Sequence, residues 1–307
     1  MLTALIALPV FPVHTLVSSS DKSGQFRFDE VNGNFWRAQA IFPNTDNSSR
    51  SICRSQALPF SRPTARASIQ ASTHQLSEAS AASLARCQAL LQAKQLPLAA
   101  EELHKLVLID PQIALPHQLL GLISVSKNKT GVAMNEFEIA AKIDPTDANI
   151  HNNLGVTYLS CGKKSLAQKE FEEAITCNPE HVEAAINLAN MLSLQAEYDK
   201  AAVVLKRSLL FNPNCAQIHN NLGSVLSASG QYQSAVAEFK TSLQLNSRLS
   251  SAHYGLGETL LQLKLYPDSI KEFKNALLID PRLSEAQNKI DIAYRRSQLA
   301  LGNQSLN

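Results

Sequence analysis

A unit of 34 residues repeats six times without a gap from Ser80 to Leu283, and no other property of the sequence restricts the fold as strongly. A stretch of that length is one supersecondary unit, too short to bury a core alone, so a fixed period calls for neighbours stacked in register. The units 80–113, 114–147, 148–181, 182–215, 216–249 and 250–283 align with no insertion. Within each, counted from one, apolar or small residues recur at positions 4, 7, 8 and 11, then at 20, 24 and 27. Intervals of three and four place each set on one face of a helix. In the third unit the sets are His151, Leu154, Gly155 and Tyr158, then Ala167, Phe171 and Ala174. In the fourth they are Ala185, Leu188, Ala189 and Leu192, then Ala201, Leu205 and Ser208.

Each unit is therefore expected to hold two amphipathic helices. Small residues at position 8 (Gly121, Gly155, Ala189, Gly223, Gly257) and position 20 (Ala99, Ala133, Ala167, Ala201, Ala235) are expected to let the two backbones approach. Turn signals such as Ser160-Cys161-Gly162-Lys163 and Ser229-Gly230-Gln231-Tyr232 separate the helices. The second helix should stop at Asp110-Pro111, Asp144-Pro145, Asn178-Pro179, Asn212-Pro213 and Asp280-Pro281, because proline lacks an amide proton and pushes its predecessor out of helical geometry.

This set of offsets resembles the tetratricopeptide repeat: a large residue, Leu, Gly/Ala and Tyr/Leu, then Ala, Phe/Leu, Ala and Pro. The sequence departs from it at Arg86, Ser247 and Ser269. The resemblance implies an all-α fold, a right-handed α-α superhelical solenoid of helix hairpins with the first helices on the concave side. Segment 284–300 carries Ala286, Ile290, Ala293, Tyr294 and Leu299 on one side and is expected to be a capping helix followed by a tail, 301–307. An open stack needs such a cap to cover its last apolar face.

The same resemblance implies that positions 2, 5, 6, 9, 12 and 13 face the groove. Position 6 reads Leu119, Asn153, Asn187, Asn221 and Gly255; position 5 reads Gln118, Asn152, Ile186, Asn220 and Tyr254; position 9 adds Asn190 and Glu258. An asparagine amide is donor and acceptor together and so matches a peptide group. Asn153, Asn187 and Asn221 resemble the asparagine ladder of the superhelical repeats in O-linked N-acetylglucosamine transferases and kinesin light chain-like adaptors. Asn152, Asn153, Asn187, Asn190, Asn220 and Asn221 are accordingly the expected peptide-binding residues. The other reading is that these asparagines bond neighbouring helices and order the stack. A clamp for a terminal carboxylate would need Lys or Arg in the groove, where Asn, Gln, Ile and Ser stand instead.

Enzyme chemistry finds no footing. His117, His151, His219 and His253 share position 4, but ligands of one ion lie about 2 Å from it, whereas residues a whole unit apart are separated by about the 8–10 Å of packed helices. They are expected to be packing histidines, with no metal and no cofactor. The G-x-S-x-G, G-x-x-x-x-G-K-[ST] and H-E-x-x-H patterns are absent from the sequence. The array is also expected to leave no room for a catalytic domain after it. The five cysteines, Cys53, Cys87, Cys161, Cys177 and Cys215, contain no C-x-x-C pair and suggest neither a disulfide framework nor a zinc site. Lys and Arg number 28 against 26 Asp and Glu, with no long run of one sign, which argues against a nucleic-acid partner. The expected role is a non-catalytic scaffold or adaptor that binds an extended segment of another protein and takes no small-molecule substrate. An assembly factor docking a folded partner on convex or end surfaces, or a regulatory subunit targeting a separate enzyme, are the competing readings.

Residues 1–79 stand apart. Met1–Val17 is apolar but holds Pro9 and Pro12 and lacks a basic start, and it falls short of the roughly 20 residues a spanning helix needs. From Trp36 to Gln75 Asp46 is the only acid among Ser, Thr, Ala and Arg, the profile of an organelle transit peptide, plastid included. A targeting leader, a disordered arm and wrongly joined upstream coding sequence all fit this composition. Organelle, cytoplasm and membrane association all stay open on it.

Overall fold

Every hairpin turns at the same place, fifteen residues into its unit, on a residue in the left-handed region: Lys94, Asn128, Gly162, Ala196, Gly230 and Lys264, with φ between 56° and 80°. That conformation lets the amide after it reach back across the helix end, as Lys163 N does to Tyr158 O at 2.9 Å and Glu197 N to Leu192 O at 2.9 Å. Helix-terminal carbonyls are thus satisfied and the chain reverses. Glycine meets the requirement at only two of the six turns; helix packing on both sides holds the other four residues there.

The computed structural model describes residues 78–304; residues 1–77 of the proposed leader, and the tail beyond residue 304, lie outside the described residues, while Glu78 and Ala79 open the first helix. Among the described residues the chain is all-α, with thirteen helices. They are α1 (Glu78–Gln92), α2 (Leu96–Ile109), α3 (Ala114–Ser126), α4 (Thr130–Ile143), α5 (Ala148–Ser160), α6 (Lys164–Cys177), α7 (Val182–Leu194), α8 (Tyr198–Phe211), α9 (Ala216–Ala228), α10 (Tyr232–Leu245), α11 (Ser250–Gln262), α12 (Tyr266–Ile279) and α13 (Ser284–Gln304). They group into two compact units, which part at Cys177 and Asn178.

The first unit holds the hairpins α1/α2, α3/α4 and α5/α6, and each packs on the next through α2 against α3 and α4 against α5. The second holds α7/α8, α9/α10 and α11/α12, joined through α8 against α9 and α10 against α11, and α13 covers α12. Its first helices also touch one another, α7 with α9, α9 with α11 and α11 with α13. Each unit is a short helical solenoid.

The periodic positions are the core. Leu154, Tyr158, Ala167, Phe171 and Ala174 are buried, as are Ala185, Leu188, Ala189, Leu192, Ala201 and Leu205. The position-8 glycines also serve a contact the sequence did not announce. A Cβ on Gly155 would lie 2.7 Å from the Phe171 ring, one on Gly121 2.7 Å from Phe137, and one on Gly257 2.9 Å from Phe273. Each glycine makes room for the position-24 phenylalanine of its own hairpin. Where position 8 is larger, in Ala189 and Cys87, position 24 is the smaller Leu205 and Leu103.

The inter-hairpin turns depend less on proline than expected. Asp144, Asn178, Asn246 and Asp280 each accept, through their side-chain oxygen, the amide two residues on, at 3.0–3.1 Å. Asn246 does so although Ser247 follows it, so the Asx turn alone suffices to redirect the chain. Ser269, the departure at position 20, is fully buried and donates to Gly257 O at 2.7 Å. In α13, Ala286, Ile290 and Ala293 are buried, but Tyr294 and Leu299 are exposed, Leu299 at 68%. The apolar side of that helix is therefore narrower than its sequence suggests, and Tyr294 instead lies beneath the Lys274 ammonium, 5.8 Å from its ring centre.

Candidate functional site

The asparagines occupy the first helices because the helical period leaves positions 5, 6 and 9 off the stripe that meets the second helix. In the first unit Asn152 and Asn153 lie half-buried on α5. The Asn153 backbone carbonyl accepts the Thr157 hydroxyl at 2.7 Å. In the second unit Asn187 on α7 and Asn221 on α9 are also half-buried. The Asn221 amide donates to Gln217 O at 2.8 Å, one turn back on its own helix, which fixes its plane.

Asn190 and Asn220 differ. Both are buried, and the side-chain oxygen of each has no hydrogen-bond partner among the described residues. Burying such an acceptor unpaired costs about 1–3 kcal/mol. Glu258, the other position-9 candidate, is taken by the last helix: Lys289 Nζ on α13 lies 2.6 Å from it. Burial pushes the Glu258 carboxyl up, against the opposing pull of Lys289, and burial together with Glu258 and Glu285 pushes the Tyr254 hydroxyl up as well.

Position 4 carries a side-chain pairing that periodicity alone did not reveal. Nδ1 of His117, His151, His219 and His253 lies 2.6–2.7 Å from Oε2 of Glu136, Glu170, Glu238 and Glu272 respectively. Each pair joins the first helix of a hairpin to its second. The sequence signal was the pairing of types: every position-4 histidine goes with a glutamate at position 23 and Ala185 goes with Val204, both apolar, while Glu102 meets Ser83 instead, at 3.5 Å. Glu170 and Glu238 hold the imidazoles of His151 and His219 above the ordinary histidine range, outweighing burial.

Elsewhere on α5, Tyr158 donates to Glu138 of α4 at 2.9 Å, and burial, followed by that bond, pushes its hydroxyl up to about 12. Among the described residues no group of three His, Cys, Asp or Glu could hold a metal ion, and no helix is long and apolar enough to cross a membrane.

Family models described as tetratricopeptide repeat match residues 136–169 and 170–202, and again 220–284. No curated protein matches the sequence. Among solved structures, the chain is similar to the APC/C hetero-tetramer Cut9-Hcn1, with TM-score 0.58 and 17% identity over 70% of this chain and 42% of that one. The chain thus spans less than half of that relative. It is similar also to YrrB, described as a TPR protein with an unusual peptide-binding site, with TM-score 0.49 and 20% identity over 62% of this chain and 97% of that one. PilF of Pseudomonas aeruginosa gives TM-score 0.48 and 22% identity over 61% and 89%. At 17% identity the likeness to Cut9-Hcn1 is one of fold alone. The tetratricopeptide repeat is a non-catalytic interaction module, and the segments that match it support a protein-binding, scaffolding role. Family models described as tetratricopeptide repeat thus match in both units, over residues 136–202 and 220–284, where glycine receives phenylalanine at the repeat's own spacing.

Proposed function

We propose that the chain is a scaffold or adaptor whose first helices hold an extended segment of another protein. The frame of this reading is six repeat units over 80–283 with a capping helix over 284–300. The observation that carries it is the placement of the position-6 asparagines: Asn153, Asn187 and Asn221 are half-buried, so ordered by their neighbours yet within reach of a ligand. An amide held this way can meet the N–H and C=O of a peptide backbone while reading little of its sequence. In style the row resembles that of the O-linked N-acetylglucosamine transferase arrays. Asn152 joins it from position 5. The unpaired oxygens of Asn190 and Asn220 are acceptors that a ligand N–H would satisfy after a rotation of the amide, offsetting a cost already present in the free protein.

Selection from a displayed library of random peptides tests this directly. Asn187→Ala/Asn221→Ala in the second unit, and Asn153→Ala in the first, should each weaken selected peptides by about tenfold or more, the loss of one or two hydrogen bonds, with helical circular dichroism unchanged. Selected peptides that bind all variants equally would defeat the reading.

A second reading has its own support. Position 29 of the second helix is Leu108, Leu210 and Leu278, 80–84% exposed. Apolar residues so open to water suit a folded partner, including an enzyme targeted by this chain, docking on the second helices.

A further inference from the structure

Three of the position-4 histidines are bonded on both sides. Beyond the Nδ1 contact to glutamate, Nε2 of His151 lies 3.0 Å from Pro145 O, Nε2 of His219 3.1 Å from Pro213 O, and Nε2 of His253 3.2 Å from Ser247 O. Those carbonyls belong to position 32, in the turn that arrives from the preceding hairpin. A carboxylate and a carbonyl both only accept, so both ring nitrogens must donate, and only the imidazolium has two N–H groups. A neutral ring must leave one lone pair facing an oxygen. The carboxylate keeps its N–H because the charge-assisted bond is the stronger, so the carbonyl bond is the one given up.

We propose that His151 and His219 are protonation-dependent latches on the turns between successive hairpins: as imidazolium each ties its helix to the second helix and to the incoming turn, and loss of the proton frees the turn. The charged groups acting on His151 are Glu170 and Glu173, both on α6; α4, packed on the other side, meets α5 through Glu138, which bonds Tyr158. On His219 they are Glu238 of α10 and the Cys215 thiol of the turn. In the sixth repeat, burial pushes the Glu272 carboxyl up, but the bond and charge of His253 outweigh it, with lesser help from Asn275 and Lys271, and it lies below the usual range. The fourth unit, with Ala185 and Val204, has no latch.

The direction follows from linkage. His151 and His219 are raised in the folded chain above their ordinary value of about 6.5. The stabilisation is therefore complete below that value and is lost as pH rises through the folded midpoint. The joints are tight in mildly acidic solution and looser in alkaline solution.

The test uses the full chain with nitrogen-15-labelled histidine. Ring-nitrogen shifts should show His151 and His219 titrating with midpoints above that of free histidine. Hydrogen exchange at the Ile150, His151, Ile218 and His219 amides, which bond the turn carbonyls Asp147 O and Cys215 O, should speed up through the midpoint after correction for intrinsic rates. The expected change is roughly fivefold, the equilibrium share of one hydrogen bond. In His151→Gln the pH step should vanish at residues 150 and 151 and persist at 218 and 219. Should that variant fail to fold, Glu170→Gln keeps an acceptor, removes the charge and should lower the His151 midpoint. Titration at or below 6.5, or corrected exchange that is flat across the range, overturns the proposal.

Discussion

Gly155 shows how far a single residue could be understood before its surroundings were known. The repeat pattern marked it as a place for a small side chain; what fills the space, the Phe171 ring 2.7 Å from a notional Cβ, lies sixteen residues away on the second helix, and a period gives no direct measure of such a contact. Pairing of types across units supplies it, since glycine goes with phenylalanine and Ala189 with Leu205. Gly155→Ala should therefore destabilise the fold by about 1–3 kcal/mol through overpacking. Adding Phe171→Leu should recover most of the loss, reproducing the native pair of the fourth unit. Urea titrations of the two variants decide it: a double variant no better than the single one would mean that the ring is not what the glycine accommodates. The asparagines were legible in the same partial way. Their positions followed from the repeat, whereas the depth of Asn190 and Asn220 depends on how closely α7, α9 and α11 approach one another, which no local pattern encodes.

Helices and turns were read well where the signal was chemical and less well where packing decides. Ser160-Cys161-Gly162-Lys163 announced its turn, but Ala196 adopts φ 60° with no glycine to mark it, because the packed helices on either side oblige it to. A non-glycine residue there carries a steric cost of about 1–2 kcal/mol. Ala196→Gly should raise stability by up to about 1 kcal/mol once the larger backbone entropy of glycine is subtracted. A lower denaturation midpoint in that variant would show the turn to be free of strain. The apolar side of α13 was overestimated for a related reason. A helical pattern shows which residues share a side, not how wide the neighbouring surface is, and α12 covers Ala286, Ile290 and Ala293 while leaving Tyr294 and Leu299 in water.

At the scale of the molecule, the fold class was fully contained in the 34-residue period, because hairpins of that length have one way to share a core with their neighbours. Function was contained only in part: a stack of hairpins offers a face of first helices and a face of second helices, and the sequence places asparagines on one and leucines on the other. The choice between them is open to site-specific photo-cross-linking within the second unit, from position 187 on α7 and from position 210 on α8, in the cells that make the protein. The account predicts that a cross-linker at 187 captures a short, contiguous stretch of another protein and that one at 210 does not. Capture from 210 alone, with 187 silent and both chains folded, would contradict it.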